Sequence, residues 1–404
     1  MLIKRREFLK TASMATTALW IPRFLQARQP IGYKGRILVV LQLSGGNDGL
    51  NTVIPTRNDV YYRERPRLAI SREEALAMGS EAGLHPALTG FKSLYDSGDL
   101  AVLNSVGYPN PDRSHFRSMD IWHSGSSAEE YWNTGWLGRY LDAQCIGCSK
   151  PSQALEIDDT LGLVLKGKDV KGLALQDPKR LYDTAHSPYF DDLAAAYRGP
   201  DSPAGRPDDS ESSLGYLYKT MAETLSSADY IYEKSKARPT QAVYPETKLG
   251  KHFKTVASLI LADSETSVYY LSHGSFDTHI NQAGQQERLF KEMNDALVAF
   301  AKDMKANGRW EDVLCMTFSE FGRRVKQNAS GGTDHGTANQ MFFAGGRLRE
   351  QGLLNELPNL TDLDKGDLKY QVDFRQAYST VLKNWLRTDP VPIMGGRFEP
   401  LGFV

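Results

Sequence analysis

The chain is poor in cysteine, with three in 404 residues. Cys145 and Cys148 form its single Cys-x-x-Cys pair, so a zinc site built from two such pairs is excluded, and no thioredoxin-like pattern surrounds the pair. We interpret the pair as a small loop-closing disulfide or as two idle thiols. Cys315 lies in an apolar run and is interpreted as a core residue.

An excess of basic residues is also missing, because 48 Lys and Arg stand against 49 Asp and Glu. This balance argues against a nucleic-acid partner. Beyond the N-terminal region no apolar run is long enough to cross a bilayer, so no stable membrane span is expected. The hydrophobic content of 41% is sufficient for a sizeable core, and the length fits two domains or one large α/β domain.

The N-terminus carries paired arginines, Arg5 and Arg6, directly before a short apolar run. This pattern predicts a twin-arginine signal over residues 1–27, with cleavage after Ala27, although an amphipathic helix is the plainer alternative. The signal implies passage through the twin-arginine export machinery in a folded state and a periplasmic or extracellular location. Many proteins exported in this way load a metal or cofactor first.

Apolar runs and helical patterns alternate along the chain. Strands are predicted at 36–44, 100–106, 267–271, 313–318 and 340–344, and helices at 86–97, 114–122, 282–305 and 374–387. The pattern indicates an α/β layered fold, and the uninterrupted apolar run of the first strand is typical of a parallel sheet. We expect one domain over 28–404, with a mainly helical insertion at about 150–265.

Clusters of polar residues recur just after the predicted strands. Ligands of open α/β sheets bind beyond the carboxyl ends of the strands, so these clusters should converge although they are far apart in sequence. A further cluster, Asp334-His335, precedes a strand instead. The clusters contain Asn47-Asp48, Arg113-Ser114-His115, Asp277-Thr278-His279 and Ser319-Glu320.

Taken together, these acidic and imidazole side chains indicate a site for a divalent metal. The predicted ligands are Asp48, Asp277, His279, Glu320 and His335. A mixed nitrogen and oxygen set suits zinc or manganese, and carboxylate-rich sites also take calcium or magnesium. Taken singly, each residue has a plain alternative as a turn residue, a surface partner or a loop tip.

Ser114 is a candidate nucleophile beside this metal. At the start of a helix it would lie near free backbone N–H groups that favour an anion, although it could equally be a simple N-cap. Arg113 could clamp a phosphate or sulfate with its planar fork. The further candidates for binding substrate are Asn47, His115 and Arg323.

At these motifs the chain resembles DUF1501, a family of bacterial proteins that are commonly exported by the twin-arginine pathway. That family in turn resembles the alkaline phosphatase and sulfatase superfamily. The resemblance implies an alkaline-phosphatase-like parallel central sheet, with Ser114 as nucleophile and a metal bound at the strand ends. The motifs that carry it are residues 43–52, Asp112-Arg113-Ser114-His115-Phe116, Ser275-Phe276-Asp277-Thr278-His279 and Ser319-Glu320-Phe321-Gly322-Arg323.

The chain departs from the superfamily pattern in three places. Asp277 and His279 are separated by one residue instead of three, and Phe321 stands where a second-metal histidine is expected. Asp334-His335 resembles the missing pair but follows the wrong strand. The first interpretation is therefore an exported metal-dependent hydrolase of phosphate or sulfate esters. The alternatives are a non-catalytic periplasmic binding or assembly protein that retains the fold, and a redox protein that uses the cysteine pair.

Overall fold

The computed structural model describes residues 35–144, 151–188, 190, 192 and 213–404. The predicted export signal and the pair Cys145 and Cys148 lie outside these residues, so both remain predictions. The division into a signal and a single domain over 28–404 also remains a prediction.

The described residues form sixteen strands. In chain order these are β1 Ile37–Leu43, β2 Val53–Ile54, β3 Leu76–Met78, β4 Ala82–Leu84, β5 Leu100–Gly107, β6 Ala154–Glu156, β7 Leu173–Ala174, β8 Val268–His273, β9 Val313–Phe318, β10 Arg323–Gln327, β11 Thr333–His335, β12 Asn339–Gly345, β13 Gly352–Leu353, β14 Leu363–Asp364, β15 Asp367–Leu368 and β16 Val372–Asp373.

Nine of these strands form one central sheet. Its order is β13-β5-β12-β9-β1-β8-β6-β7, with β16 also paired to β5. β1 is parallel to both neighbours, β8 and β9, whereas β12 is antiparallel to both of its neighbours, β5 and β9. The remaining pairings in this sheet are parallel. The start of β12 therefore lies at the edge where the parallel strands end.

Helices cover both faces of the sheet. The described α-helices are α1 Asp59–Glu64, α2 Thr89–Asp96, α3 His115–Ser124, α4 Trp136–Gln144, α5 Pro178–Ala185, α6 Ser213–Ala237, α7 Lys248–Leu261, α8 Gln282–Ala306, α9 Phe374–Thr380 and α10 Pro390–Met394. A π-helical turn, Val381–Trp385, continues α9. α3 ends at Gly125, whose φ of 74° suits the left-handed C-terminal cap that glycine supplies most easily.

Strand β1 has a hydrophobic core on each side. Val39 and Leu41 pack into the core beneath α2, α7 and α8. Leu38 and Val40 pack into the opposite core, beneath α3, α4 and α9. Because both faces are covered, β1 is apolar apart from the buried Gln42, as expected for an internal parallel strand.

The predicted fold class is confirmed, since the sheet is mainly parallel and flanked by helices. The region at 150–265 contains helices α5, α6 and α7, but it also adds β6 and β7 to the sheet. It therefore extends the sheet as well as carrying helices. Cys315 is free and buried in β9, as predicted. In the described part of the chain, helices are too short or too polar to cross a membrane.

Candidate metal centre

Loops from distant parts of the sequence are hydrogen-bonded to one another at the edge of the central sheet where the parallel strands end. The Phe276 N–H, after β8, donates to the Ser44 carbonyl, after β1, at 3.1 Å. The Gly45 N–H donates to the Glu320 carboxylate, after β9, at 2.8 Å. His335, in β11 and shortly before β12, also reaches this edge because β12 runs against its neighbours.

Three imidazoles and one carboxylate meet in this place. Asp277 Oδ1 lies 3.0 Å from His279 Nε2 and 3.2 Å from His335 Nε2. The two Nε2 atoms of His279 and His335 are 3.0 Å apart. His115 Nε2 lies 3.5 Å from the other carboxylate oxygen, Oδ2 of Asp277. The four side chains are partly exposed, so the cluster is open to a ligand from solvent.

The other ring nitrogen of each histidine, Nδ1, is hydrogen-bonded to an oxygen acceptor. The pairs are His115 Nδ1 with Glu320 Oε1 at 2.8 Å, His335 Nδ1 with the Arg113 carbonyl at 2.8 Å, and His279 Nδ1 with Asp334 Oδ1 at 3.4 Å. A carbonyl or carboxylate oxygen accepts, so Nδ1 of each neutral ring carries the proton. The three Nε2 atoms therefore present lone pairs to one another and to Asp277. This is the way in which metal-binding histidines are held.

The site brings acceptor atoms together around one neighbouring donor, Arg323, which reaches Asp277 Oδ1 at 2.7 Å and His279 Nε2 at 3.4 Å. His115 Nε2 is buried and has no hydrogen-bond partner among the described residues. The hydrogen bond to Glu320 raises the pKa of His115, whereas burial lowers the pKa of His335. Burial acts to raise the pKa of Asp277, but the hydrogen bond and charge of Arg323 outweigh it and hold this pKa at about 2. Converging lone pairs and an anionic carboxylate are stabilised by a cation.

Arg323 fixes the loops beneath the cluster. Its side chain is fully buried, and it donates to the carbonyls of Gly46 at 2.6 Å and Thr333 at 2.9 Å. It also donates to Asp277 Oδ1 at 2.7 Å. The prediction that Arg323 binds substrate does not fit this placement, because its donors are occupied by the protein.

The loop after β1 needs glycine at position 45. Gly45 has a φ of 119°, and a Cβ atom there would lie 2.4 Å from the backbone nitrogen of Asp277. The glycine therefore permits the close approach of two loops that places Asp277 beside the histidines.

Asp48 and Asn47, also in this loop, do not join the cluster. Asp48 Oδ2 forms a fully buried ion pair with Arg65 at 2.6 Å, and Oδ1 accepts from the Leu50 N–H at 3.2 Å. Both oxygens are thus occupied, which corrects the prediction of a metal ligand. Asn47 is buried and donates from Nδ2 to Thr52 Oγ1 at 2.9 Å, so its predicted contact with substrate is corrected as well.

The remaining predicted site residues, Glu320, Arg113 and Ser114, differ in burial and in their contacts. Glu320 is fully buried and hydrogen-bonded to His115, so it is placed to orient His115 and not to bind a metal itself. The Arg113 guanidinium is held in an ion pair with buried Asp367 and is not a free anion clamp. Ser114 is exposed at the N-terminus of α3, and its hydroxyl does not cap the helix.

A cavity of about 890 Å³ adjoins the cluster. Phe321 and Arg113 line it, and both also contact the histidines. The Phe321 ring lies 4.8 Å from the His115 ring and 4.6 Å from the His335 ring, measured between centroids. The Phe321 side chain therefore borders both the histidines and the cavity.

The sequence analysis assigned His115 to substrate, named Asp334 in a polar cluster without giving it a role, and overlooked Asp367. The signal for His115 lay in the motif Arg113-Ser114-His115. With His279, His335 and Asp277, this third imidazole completes a set of three nitrogen ligands and one oxygen ligand. Asp334 directly precedes His335, and this adjacency could have indicated a supporting carboxylate. The ion pair of Asp367 with Arg113 spans 254 positions and has no local signal.

A family model described as "Protein of unknown function (DUF1501)" matches residues 102–383. No curated protein matches the chain.

Solved structures are similar to the chain at low sequence identity. The lipoteichoic acid synthase LtaP from Listeria monocytogenes has 9% identity and a TM-score of 0.36, covering 82% of this chain and 71% of that chain. The PsFucS1 sulfatase from Pseudoalteromonas sp. has 10% identity and a TM-score of 0.36, with coverage of 94% and 72%. A TAB5 alkaline phosphatase mutant with bound Mg has 9% identity and a TM-score of 0.33, covering 78% of this chain and 92% of that chain. The fold class of this chain rests on its own sheet.

Proposed function

The chain belongs to the DUF1501 family, as its motifs predicted, and we propose that it is a metal-dependent hydrolase of phosphate or sulfate esters. One observation carries the proposal. His115, His279 and His335 are each held through Nδ1, and their Nε2 atoms gather around the carboxylate of Asp277. Such a set is built to hold a cation with a side open to solvent.

The chemistry of the four side chains fits a zinc-type ion, and the ligand atoms of His115, Asp277 and His335 lie within 4.8 Å of one another. Ligand atoms about 2.0–2.1 Å from a tetrahedral zinc lie roughly 3.3 Å apart. Asp277 Oδ1 lies 3.0 Å from His279 Nε2 and 3.2 Å from His335 Nε2, and the other carboxylate oxygen, Oδ2, lies 3.5 Å from His115 Nε2. Three imidazoles favour zinc or another transition metal such as manganese over calcium and magnesium, which prefer oxygen ligands.

Ser114 is the proposed nucleophile. It directly precedes His115, is exposed, and lies where the first N–H groups of α3 favour an anion. Its Oγ would form a bond to phosphorus or sulfur as the ester oxygen leaves and takes up a proton. Water would then cleave the serine ester, releasing phosphate or sulfate and restoring the hydroxyl. A bound metal would supply polarisation of the ester and a lowered hydroxyl pKa.

Export by the twin-arginine pathway is part of the proposal. It is supported by Arg5 and Arg6 before the apolar run, with cleavage after Ala27. A metal centre assembled from loops of the folded chain suits a pathway that carries folded proteins. The expected location is periplasmic or extracellular, with an anionic ester as ligand.

A second function, binding without turnover, is favoured by two placements. The Asp48 carboxylate is occupied by Arg65, and Phe321 occupies the position expected for a second-metal histidine. The protein would then hold one metal, and Arg113 would offer no free clamp because Asp367 binds it. Such a protein would bind an anionic ligand at the metal and leave it intact.

Metal analysis combined with an ester panel separates the two functions. Purified protein should contain close to one equivalent of zinc or manganese, and H115Q and D277N should lower this content. Chromogenic phosphate and sulfate esters should be hydrolysed, and S114A should abolish turnover while the metal content stays unchanged. Bound metal without turnover would favour the binding function. Protein that takes up no divalent metal would overturn both.

A further inference from the structure

We propose that the cavity beside the metal centre binds the organic group of the ester, and that this group is bulky, uncharged and ring-containing, with Tyr370 as a specificity residue. This inference rests on the proposed function, because it assigns the part of the ligand that extends away from the metal.

The cavity and the metal centre share two residues. Phe321 lines the cavity and its ring contacts those of His115 and His335. Arg113 also lines the cavity, and its carbonyl holds His335 Nδ1 at 2.8 Å. The cavity is therefore a neighbour of the histidines, and an ester whose anionic end lies at the histidines would extend its organic group past Phe321 and Arg113 into the cavity.

The size of the cavity excludes the inorganic anion as its full occupant. Its volume of about 890 Å³ lies within the range of roughly 300–1,000 Å³ found for sites that hold drug-sized ligands. Sulfate or phosphate alone would fill a small part of this space. The ligand that uses the cavity must therefore carry a substantial organic group.

The charges around the cavity favour an uncharged group. Of its three cationic lining residues, Arg113 is paired with Asp367 and Lys369 with Asp362. The third, Lys365, shares the lining with Asp112 and Asp364. Since the cations are matched by carboxylates, a second anionic group on the ligand would gain little here.

Aromatic rings form part of the wall. Phe321 is buried, whereas Tyr370 is 40% exposed, one of a few large hydrophobic side chains that the described chain leaves open to solvent. The backbone on the C-terminal side of Tyr370 is held in place, because the Gln371 N–H donates to the Ser105 carbonyl at 2.7 Å. An exposed ring on a fixed backbone offers a stacking surface for a ring of the ligand.

The test measures binding, not activity, so that slow turnover does not matter. Zinc-loaded protein is titrated calorimetrically with inorganic phosphate, methylphosphonate and naphthylphosphonate, and with sulfate, methanesulfonate and naphthalenesulfonate. We expect a naphthyl compound to bind at least tenfold more tightly than the methyl compound of its series. Y370A should lose most of this gain, and Y370F should keep it. Y131A is the matched control, since Tyr131 is 78% exposed and does not line the cavity.

The outcomes separate this inference from the proposed function. Equal affinity for naphthyl and methyl compounds, or a gain that survives in Y370A, would overturn the role of the cavity and leave the metal centre intact. Failure of every anion to bind the zinc-loaded protein would overturn the proposed function, and this inference with it. A gain that Y131A loses as fully as Y370A would also contradict the assignment to Tyr370.

Discussion

Glu320 Oε1 and His115 Nδ1 lie 2.8 Å apart, with the carboxylate fully buried behind the imidazole. The contact joins the loop after β9 to the start of α3, which are 205 positions apart in the chain. It fixes the tautomer of His115 and aims its Nε2 atom at Asp277. Under the proposed function, Glu320 would therefore act on a bound metal through His115.

Replacing this carboxylate should weaken metal binding without removing a ligand. We expect E320Q to lower zinc affinity by about 10- to 100-fold, because supporting residues of metal ligands have effects of this size. Titration against a competing chelator measures the change. D334N is the graded comparison and should have a smaller effect, because Asp334 is exposed and lies 3.4 Å from His279 Nδ1. Unchanged zinc affinity in E320Q would contradict this role.

The buried pair of Asp48 and Arg65 should matter for stability and not for metal content. D48N leaves the Arg65 charge buried without its partner, so we expect a loss of about 3–5 kcal/mol in the free energy of unfolding. Urea denaturation measures this loss, and metal analysis of the folded variant should match the wild type. D96N, at an exposed ion pair with Lys92, should change stability by less than about 1 kcal/mol. A folded D48N protein without metal would restore Asp48 as a ligand.

Replacing Gly45 by alanine should destabilise the protein, whereas the same replacement at Gly274 should not. G45A combines a φ of 119° with a contact of 2.4 Å to Asp277 N. We expect it to destabilise the protein by more than about 2 kcal/mol, because strained backbone costs on the order of 1–3 kcal/mol and overpacking adds to it. A Cβ atom at Gly274 would meet nothing within 4 Å, so G274A is the control. Thermal unfolding of both variants checks the prediction, and equal melting temperatures would refute it.

Glu156 should make stability fall as pH rises. Burial raises its pKa from the ordinary value of 4.5 to about 7. The folded state therefore holds a proton that the unfolded state has released between these values, so the free energy of unfolding decreases across this window and levels off above it. The full penalty is at most about 3 kcal/mol.

The E156Q variant removes this titration and should gain stability relative to wild type at pH 8 but not at pH 4. Urea denaturation across the pH range measures the difference. E246Q is the matched control, because the Glu246 side chain is 90% exposed. A stability difference between E156Q and wild type that does not change with pH would show that Glu156 ionises normally.

Much of the fold could be predicted from local pattern. The predicted strand at 313–318 coincides with β9, and that at 36–44 contains β1 with one residue extra at each end. Apolar runs report burial on both faces of a sheet, and this burial is encoded locally. The π-helical end of the predicted helix at 374–387 had no such signal.

The identity of the ligands could be predicted only in part. Asp277, His279 and His335 were selected from sequence and lie together in the structure. Asp48 was selected for the same reasons, yet its carboxylate forms an ion pair with Arg65, and no local sequence pattern predicts this contact. Whether a carboxylate binds metal or an arginine depends on which partner the fold brings within reach.

By itself, the sequence determined the five longest strands of the central sheet, several of the helices and the short list of side chains able to hold a metal. The tertiary structure decided which of them meet. His335 comes shortly before β12, so from the sequence it appeared to lie at the wrong end of the sheet. Because β12 runs antiparallel to β5 and β9, the start of β12 lies where these neighbours end. Strand direction depends on pairing between distant segments, and the burial of every residue of β12 carries no information about its direction.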